Sequence, residues 1–323
     1  MKPDGFAADL LRKPEALRGL AATLAVGNPW AQVVPPDVER VVLLGMGSSA
    51  YAGGVAAARM RARGLIASSE LASSQLLPAW GAGTLVVATS ASGGSVETLD
   101  ALGRLPTKAR VIALTNSPGS AITERTAAVV DLQAEPEAGG VACRSYQHTL
   151  ALLMALECHL TGESTDALSE SVAAAAEATE HLLSTESDWR PAISALLLGP
   201  SGTHLAAPAH RFCSAQQGAL MLREGPRRPA VACETGDWSH VDVYLTRSTD
   251  YRMLLMAGSR WEDELLRWTR ERGSTVVAVG ADVPGAAATV RFRGDEDDDV
   301  RLLAEVTVPE LVAAQLWRAS GSA

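Results

Sequence analysis

Cysteine is scarce and scattered: Cys143, Cys158, Cys213 and Cys233 form no C-x-x-C pair, which argues against both a zinc site and a disulfide framework. His148, His159, His181, His204 and His210 fall at no recognisable ligand spacing, so no metal is expected. No Lys/Arg-rich block offsets the net charge of −9, which disfavours a nucleic-acid partner. No uncharged stretch approaches the roughly 20 apolar residues that span a bilayer. The N-terminus, MKPDGFAADLLRKPEALRGL, carries acids and an amphipathic pattern where a signal peptide needs a basic start and an apolar run. The expectation is a cytoplasmic protein with neither nucleic acid nor membrane as partner.

What is present is enough apolar material for substantial cores. Of 323 residues, 47% are hydrophobic and 20% charged, a globular balance at a length that suggests two domains of about 150 residues each. Continuous apolar runs alternate with helical stretches: Arg40-VVLLG, LIASSE, Thr84-LVVATS, Arg110-VIALTNS and Ala128-VVDLQ read as strands, with helices over Ser48–Arg63, Ser95–Leu105 and about Gly140–Leu160. Such runs imply a parallel sheet covered on both faces. After a polar, alanine-rich stretch the pattern restarts with Ser194-ALLLGPSG, a helix through Leu222, and strands near Ala230–Cys233, Tyr251-RMLLMAGS, Ser274-TVVAVG and Thr289-VRFRG. A helix over Glu262–Arg272 and a last one from about Val300 to Ala319 complete this half. The expected organisation is an N-terminal helical segment over 1–35, a first α/β domain over 36–163, a linking helix over 164–190 and a second α/β domain over 191–323.

In open parallel sheets, ligands bind beyond the carboxyl ends of the strands, where helix-starting N–H groups point outward. Two loops of the first half suit this. Gly45-MGSSAYAGG carries Gly47, Ser48 and Ser49, and Thr89-SASGGSVETL carries Ser90, Ser92, Gly93 and Ser95. Serines before helices are commonly plain caps. Capping needs one hydroxyl per helix, however, and these two loops offer five. The glycines of G-M-G-S-S-A miss the third position of the dinucleotide fingerprint, and only Glu70 stands near the required acid, so NAD is disfavoured and no cofactor is expected.

The segment Ser90-A-S-G-G-S-V-E-T-L resembles the S-x-S-G-x-[ST]-x-[DE]-T signature of sugar isomerase (SIS) domains, with Gly47-S-S upstream and Glu137-A-G-G-V-A-C-R-S-Y downstream in matching order. The resemblance covers essentially the whole chain and is greatest to the isomerase half of glucosamine-6-phosphate synthase and its stand-alone relatives. It implies an α/β fold of two tandem SIS domains, each a parallel sheet flanked by helices in a flavodoxin-like three-layer sandwich. It also implies a phosphorylated sugar or amino sugar as ligand, held by Ser48, Ser49, Ser90, Ser92 and Ser95 with Gly47, Gly93, Ala142 and Cys143 lining the loops, and a homodimer. Gly218-ALMLRE resembles the family's G-A-L-K-L-K-E helix end, which gives Glu224 the place of the catalytic carboxylate. Thr235-GDWSH resembles its G-E-x-x-H segment, which gives His240 the place of the ring-opening histidine, contributed to the partner's site.

The chemistry suits those residue types. Aldose–ketose interconversion needs a base that carries a proton between C1 and C2 through an enediol, and a carboxylate can do so. Opening the ring needs proton transfer at the ring oxygen near neutral pH, the natural task of an imidazole. The plainer readings are an ion pair of Glu224 with Arg223 or Arg227 and a satisfied loop histidine at 240. Trp238 is either a platform for a sugar's apolar face or core.

The implied activity is phosphosugar isomerisation or amino-sugar-phosphate deamination or deglycation, with a non-catalytic sugar-phosphate sensor as the alternative. Three departures bear on that choice. Ala91 and Gly94 stand where the family carries polar residues, Ala142-Cys143 replaces a usual Ser-Thr pair, and no lysine follows Lys108 to supply the family's tail amine. Nor does a glutaminase half with an N-terminal cysteine precede the first domain, so glutamine-dependent amidotransfer is not expected.

Overall fold

A computed structural model describes residues 1–105 and 108–321. In chain order its helices and strands are α1 (Pro3–Leu11), α2 (Lys13–Val26), β1 (Arg40–Gly45), α3 (Ser48–Ala62), β2 (Ala67–Leu71), β3 (Thr84–Thr89), α4 (Val96–Arg104), β4 (Arg110–Thr115), β5 (Ala128–Asp131), α5 (Arg144–Thr161), α6 (Asp166–Ser184), α7 (Glu186–Leu197), β6 (Thr203–Ala207), α8 (Phe212–Glu224), β7 (Ala230–Glu234), β8 (Arg252–Met256), α9 (Glu262–Glu271), β9 (Thr275–Val279), β10 (Ala288–Val290), α10 (Asp298–Ala304) and α11 (Thr307–Gly321). By internal contacts they fall into two units. The first unit is Ala16–Pro136 with Ala142–Val172, and the second is Met1–Glu15, Glu137–Val141 and the chain from Ala173 onward.

The first unit holds a five-stranded sheet in the order β2-β1-β3-β4-β5, parallel throughout. Val42, Leu44 and Val86 turn one face toward Ala72, Trp80 and Ala101. On the opposite face α3 lies close: a Cβ on Gly53 would stand 3.0 Å from Ser69 Oγ and 3.3 Å from Leu43 Cβ, so the small residues of this helix set its approach to the sheet. Trp30 is buried beside α5, its indole N–H donating to Leu152 O at 2.7 Å.

The second unit repeats the same connectivity in β7-β6-β8-β9-β10, again parallel. Ala206, Cys233, Tyr251, Met253, Leu255, Val276 and Ala278 pack with Trp238 and Leu265 in one core. Helix α8 presses so tightly that a Cβ on Gly218 would meet Leu205 Cδ2 and Pro309 Cγ, both at 2.7 Å, and only glycine fits there. The N-terminal helix belongs to this unit, with the Phe6 ring 5.9 Å from Trp317 of α11 and a fully buried Lys13–Glu310 ion pair. The chain is therefore an α/β protein of two parallel five-stranded sheets flanked by helices.

Three local expectations give way. The run Ser194-ALLLG is not a strand, because its first four residues close α7, whose Ile193 and Leu197 point inward; the strand is the next segment, Thr203–Ala207. An apolar run of that length fits a buried helix end as well as a strand. Two helices, α6 and α7, stand where the sequence suggests one over 164–190, and α10 and α11 divide the last helix between Ala304 and Thr307.

Candidate active site

Both sheets reverse their direction of growth at an inner pair of strands, β1/β3 in the first and β6/β8 in the second, and ligands of such folds bind beyond the carboxyl ends at that point. The two serine loops lie there, at the ends of neighbouring strands. Strand β1 ends at Gly45, Gly47 takes a φ of +51° outside the range ordinary side chains prefer, and α3 begins at Ser48. Helix starts leave their first N–H groups without partners inside the helix. The hydroxyls of Ser48, Ser49 and Ser90 make no hydrogen bond to the described residues, and Ser90 is buried.

The second loop is tightly shaped. Gly93, at φ +64°, donates to Ser90 O at 3.0 Å and accepts from Ile122 N at 3.0 Å, and a Cβ built on it would stand 1.8 Å from Ser120 Oγ. Ala91 O accepts from Asn116 N at 3.1 Å and from Thr115 Oγ1 at 3.3 Å, which ties the loop to the end of β4. Ser92 Oγ accepts from Gly94 N at 3.4 Å. Ser95 is a helix cap: its oxygen accepts from Thr98 N at 3.3 Å and Thr98 Oγ1 at 3.1 Å. Of the five serines, Ser95 is thus occupied as the plainer reading expects, whereas Ser48, Ser49 and Ser90 are not.

In the third loop, Ala142 is partly exposed, and Cys143 is fully buried at the start of α5. Arg144 follows, also fully buried, donating through Nη2 to Pro136 O at 2.6 Å. Burial, opposed by a hydrogen bond from His148 Nδ1 to Leu132 O at 2.7 Å and aided by the charge of Arg144, lowers the pKa of His148 to about 4, so that ring is neutral. Motif spacing points to neither Arg144 nor Asn116, whose side chain donates to Glu135 O at 2.7 Å and accepts from Ala134 N at 2.9 Å. A polar side chain directly after a strand end was the available signal for Asn116.

Glu224 and His240 lie in the second unit. Glu224 ends α8, held by the close seat of Gly218, and makes neither ion pair nor hydrogen bond to the described residues. The expected alternative of a pair with Arg223 or Arg227 is not what the structure has. Burial raises its pKa above the ordinary carboxylate value, with the Arg223 charge pulling the other way. His240 follows β7 and a short 3-10 turn, Asp237–Ser239; its side chain is exposed and its backbone N–H donates to Asp237 O at 2.8 Å. Trp238 is core rather than platform, fully buried with its indole N–H donating to Tyr251 OH at 2.8 Å. Among the described residues no three His, Cys, Asp or Glu side chains converge as a metal would require, and no helix is long and apolar enough to cross a membrane.

A parallel α/β chain with glycine- and serine-bearing loops at a sheet's switch point falls among the folds that hold small anionic ligands at strand ends. Comparison with known proteins names the class more closely. Residues 37–157 match the family model described as SIS domain. Solved structures extend the likeness in fold to the whole chain. The C-terminal domain of glucosamine-fructose-6-phosphate aminotransferase from Francisella tularensis has a TM-score of 0.85 at 15% identity, covering 99% of this chain and 98% of that one. Tagatose-6-phosphate ketose/aldose isomerase from Escherichia coli has 0.80 at 15%, covering 98% and 93%. Glucosamine-6-phosphate deaminase from Thermotoga maritima has 0.73 at 18%, covering 98% and 95%. No curated protein sequence matches the chain.

Proposed function

We propose that the protein is an enzyme acting on a sugar phosphate or amino-sugar phosphate, as an aldose–ketose isomerase or a deaminase or deglycase, through a C1–C2 proton transfer with an enediol-type intermediate. The phosphate is held by Ser48, Ser49, Ser90 and Ser92 with the backbone of Gly47, Gly93, Ala142 and Cys143, while Ser95 fixes the first turn of α4. Glu224 is the proton-transfer base and His240 the ring-opening acid/base. The observation that carries the reading is Glu224 itself: a half-buried carboxylate with no partner among the described residues and a pKa raised by burial is poised to take and return a proton rather than to hold a structural contact. The isomerase and the deaminase of like fold favour the same class.

A second copy of the chain belongs to this proposal. Helix α8 returns against the strand direction, so Glu224 stands before the start of β7 and His240 beyond its end. Five strand residues span roughly 16 Å. One chain's Glu224 and the same chain's His240 are then too far apart to work on one six-carbon sugar, and a partner supplies the missing group. Val241, Tyr244 and Leu245, exposed apolar residues directly after His240, suit a buried contact between copies. The reading places the protein in the cytoplasm, where its four cysteines stay thiols.

The test pairs binding with turnover. Fructose 6-phosphate or glucosamine 6-phosphate should raise the melting temperature where the unphosphorylated sugars do not. Glu224→Gln should keep that response and lose at least about a hundredfold in turnover. Mixing Glu224→Gln chains with His240→Ala chains should restore part of it. Stabilisation by the phosphosugars without turnover by the unaltered protein would overturn the enzyme in favour of the sensor.

A further inference from the structure

His240 is exposed, yet the backbone on either side of it is anchored in the core. Trp238, two residues before, is fully buried, and Asp242, two residues after, is 4% exposed. A buried chain of hydrogen bonds joins them: Trp238 Nε1 donates to Tyr251 OH at 2.8 Å, and Tyr251 OH donates to Asp242 Oδ2 at 2.9 Å. The same oxygen lies 3.1 Å from His204 Nδ1, whose ring stacks on Tyr251 with centroids 4.0 Å apart. Burial alone would raise the Asp242 pKa, but the hydrogen bonds from His204 and Tyr251 outweigh it, and the group stays a carboxylate. The strand side is tied as well, because Glu234 Oε2 accepts from Gly236 N at 2.8 Å and Asp237 N at 2.9 Å. Beyond Asp242, the Arg272 guanidinium donates to Thr246 Oγ1 at 2.8 Å and to Val243 O.

A surface loop with no task beyond connecting β7 to β8 has no need of this many buried polar anchors, each of which costs desolvation unless fully paired. What the anchors have in common is that they bracket the exposed pair His240–Val241. We propose that Tyr251 and Asp242 are positioning residues for His240: the chain from Trp238 through Tyr251 to Asp242 holds the histidine's backbone at one fixed place and orientation, so that the imidazole meets the sugar's ring oxygen without searching. This rests on the assignment of His240 as the ring-opening group. Pre-orientation of a catalytic group matters because a displacement of about 1 Å can cost on the order of a hundredfold in rate.

The test uses Tyr251→Phe, which keeps the ring and its stacking on His204 but removes the hydroxyl that joins the two anchors. With the phosphosugar that the unaltered protein turns over, Tyr251→Phe should lower kcat about tenfold and leave KM within about twofold. In a His240→Ala background it should lower kcat no further, since a residue that acts only through His240 has nothing left to orient. A further loss of the same size in that background would make the network a general structural support and overturn the inference. Loss of turnover in His240→Ala with none in Tyr251→Phe would overturn this inference alone, whereas no effect of His240→Ala would overturn the assignment of His240 and this inference together. Trp238→Phe, which removes the donor at the other end together with part of a buried ring, carries the same kcat-against-KM and double-mutant comparison if Tyr251→Phe does not fold.

Discussion

The two sheets have the same strand order and the same switch point, yet their mouths are chemically opposite. At the first, the hydroxyls of Ser48, Ser49 and Ser90 meet no partner among the described residues. At the second, the chain meets several of its donors with its own carboxylates and carbonyls. Gly258 N and Ser259 N both donate to the Glu262 carboxylate, the latter at 2.8 Å. Arg211, fully buried, pairs with Glu305, donates to Ala257 O and lies 3.4 Å from Asp298. Arg301 donates to Asp295 O and, at 3.0 Å, to Gly280 O. One topology thus yields unengaged hydroxyls at one mouth and a largely self-neutralised frame at the other. The fold provides the crevice; the side chains decide whether anything external is needed to complete it.

If that contrast is right, breaking the second mouth should injure stability and leave binding alone. Arg211→Met leaves the fully buried Glu305 carboxylate without its cation, and removing one partner of such a pair costs about 3–5 kcal/mol. The cost should depend on pH in a defined direction. Burial already raises the Glu305 pKa, with Arg211 the main opposing influence, so loss of Arg211 raises it further. A carboxyl whose folded pKa lies above its unfolded value favours the folded state at low pH and loses that contribution as pH rises through the folded pKa. The deficit in urea denaturation should therefore be largest near neutral pH and shrink as the pH falls toward the carboxylate range. A deficit of the same size at both ends would contradict this account of the pair.

Breaking the first mouth should do the reverse. Gly93→Ala places a non-glycine residue at φ +64° and a methyl group on top of Ser120 Oγ, so the loop must move. Strain of about 1–3 kcal/mol at such a position is concentrated in the segment that presents Ser90 and Ser92. Calorimetric affinity for fructose 6-phosphate should fall at least about tenfold, equivalent to about 1.4 kcal/mol, while Arg211→Met, if it folds, should bind the ligand as the unaltered protein does. Equal binding by Gly93→Ala and the parent would remove the second loop from the site.

Much of this was legible in the residues, and the parts that were not share a cause. Nine of the ten strands overlap the runs that the sequence marks as strands, because a strand buried on both faces writes itself as a continuous apolar run. Thr203–Ala207 escaped because THLAA has one β-branched residue and a histidine, while the leucines just before it belong to a helix end. The glycine and serine loops were visible as motifs, but which serine caps and which stays open depends on χ angles and neighbours that no spacing encodes. The membership of α1 in the second unit rests on Phe6 meeting Trp317 and Lys13 meeting Glu310, contacts across nearly the whole chain length. The anchors of His240 were hidden for the same reason, since His204, Asp242 and Tyr251 come from separate segments and converge only in the folded sheet.

The smallest effect is expected at the one serine of the first mouth whose oxygen is already engaged. Ser95 accepts from Thr98 N and Thr98 Oγ1 and donates to Glu97 Oε2 at 3.0 Å, so its bonding is satisfied within the first turn of α4. Ser95→Ala should cost about 1 kcal/mol of stability, the usual loss for a helix cap. Its affinity for fructose 6-phosphate should change by less than about threefold, because ligand and cap would compete for the same oxygen and the cap already holds it. Ser90→Ala, at a buried hydroxyl with no partner among the described residues, should invert the pattern, with affinity reduced and stability nearly unchanged. Should Ser95→Ala weaken binding as much as Ser90→Ala does, the line drawn here between a hydroxyl that shapes the mouth and one that meets the ligand would have to be abandoned.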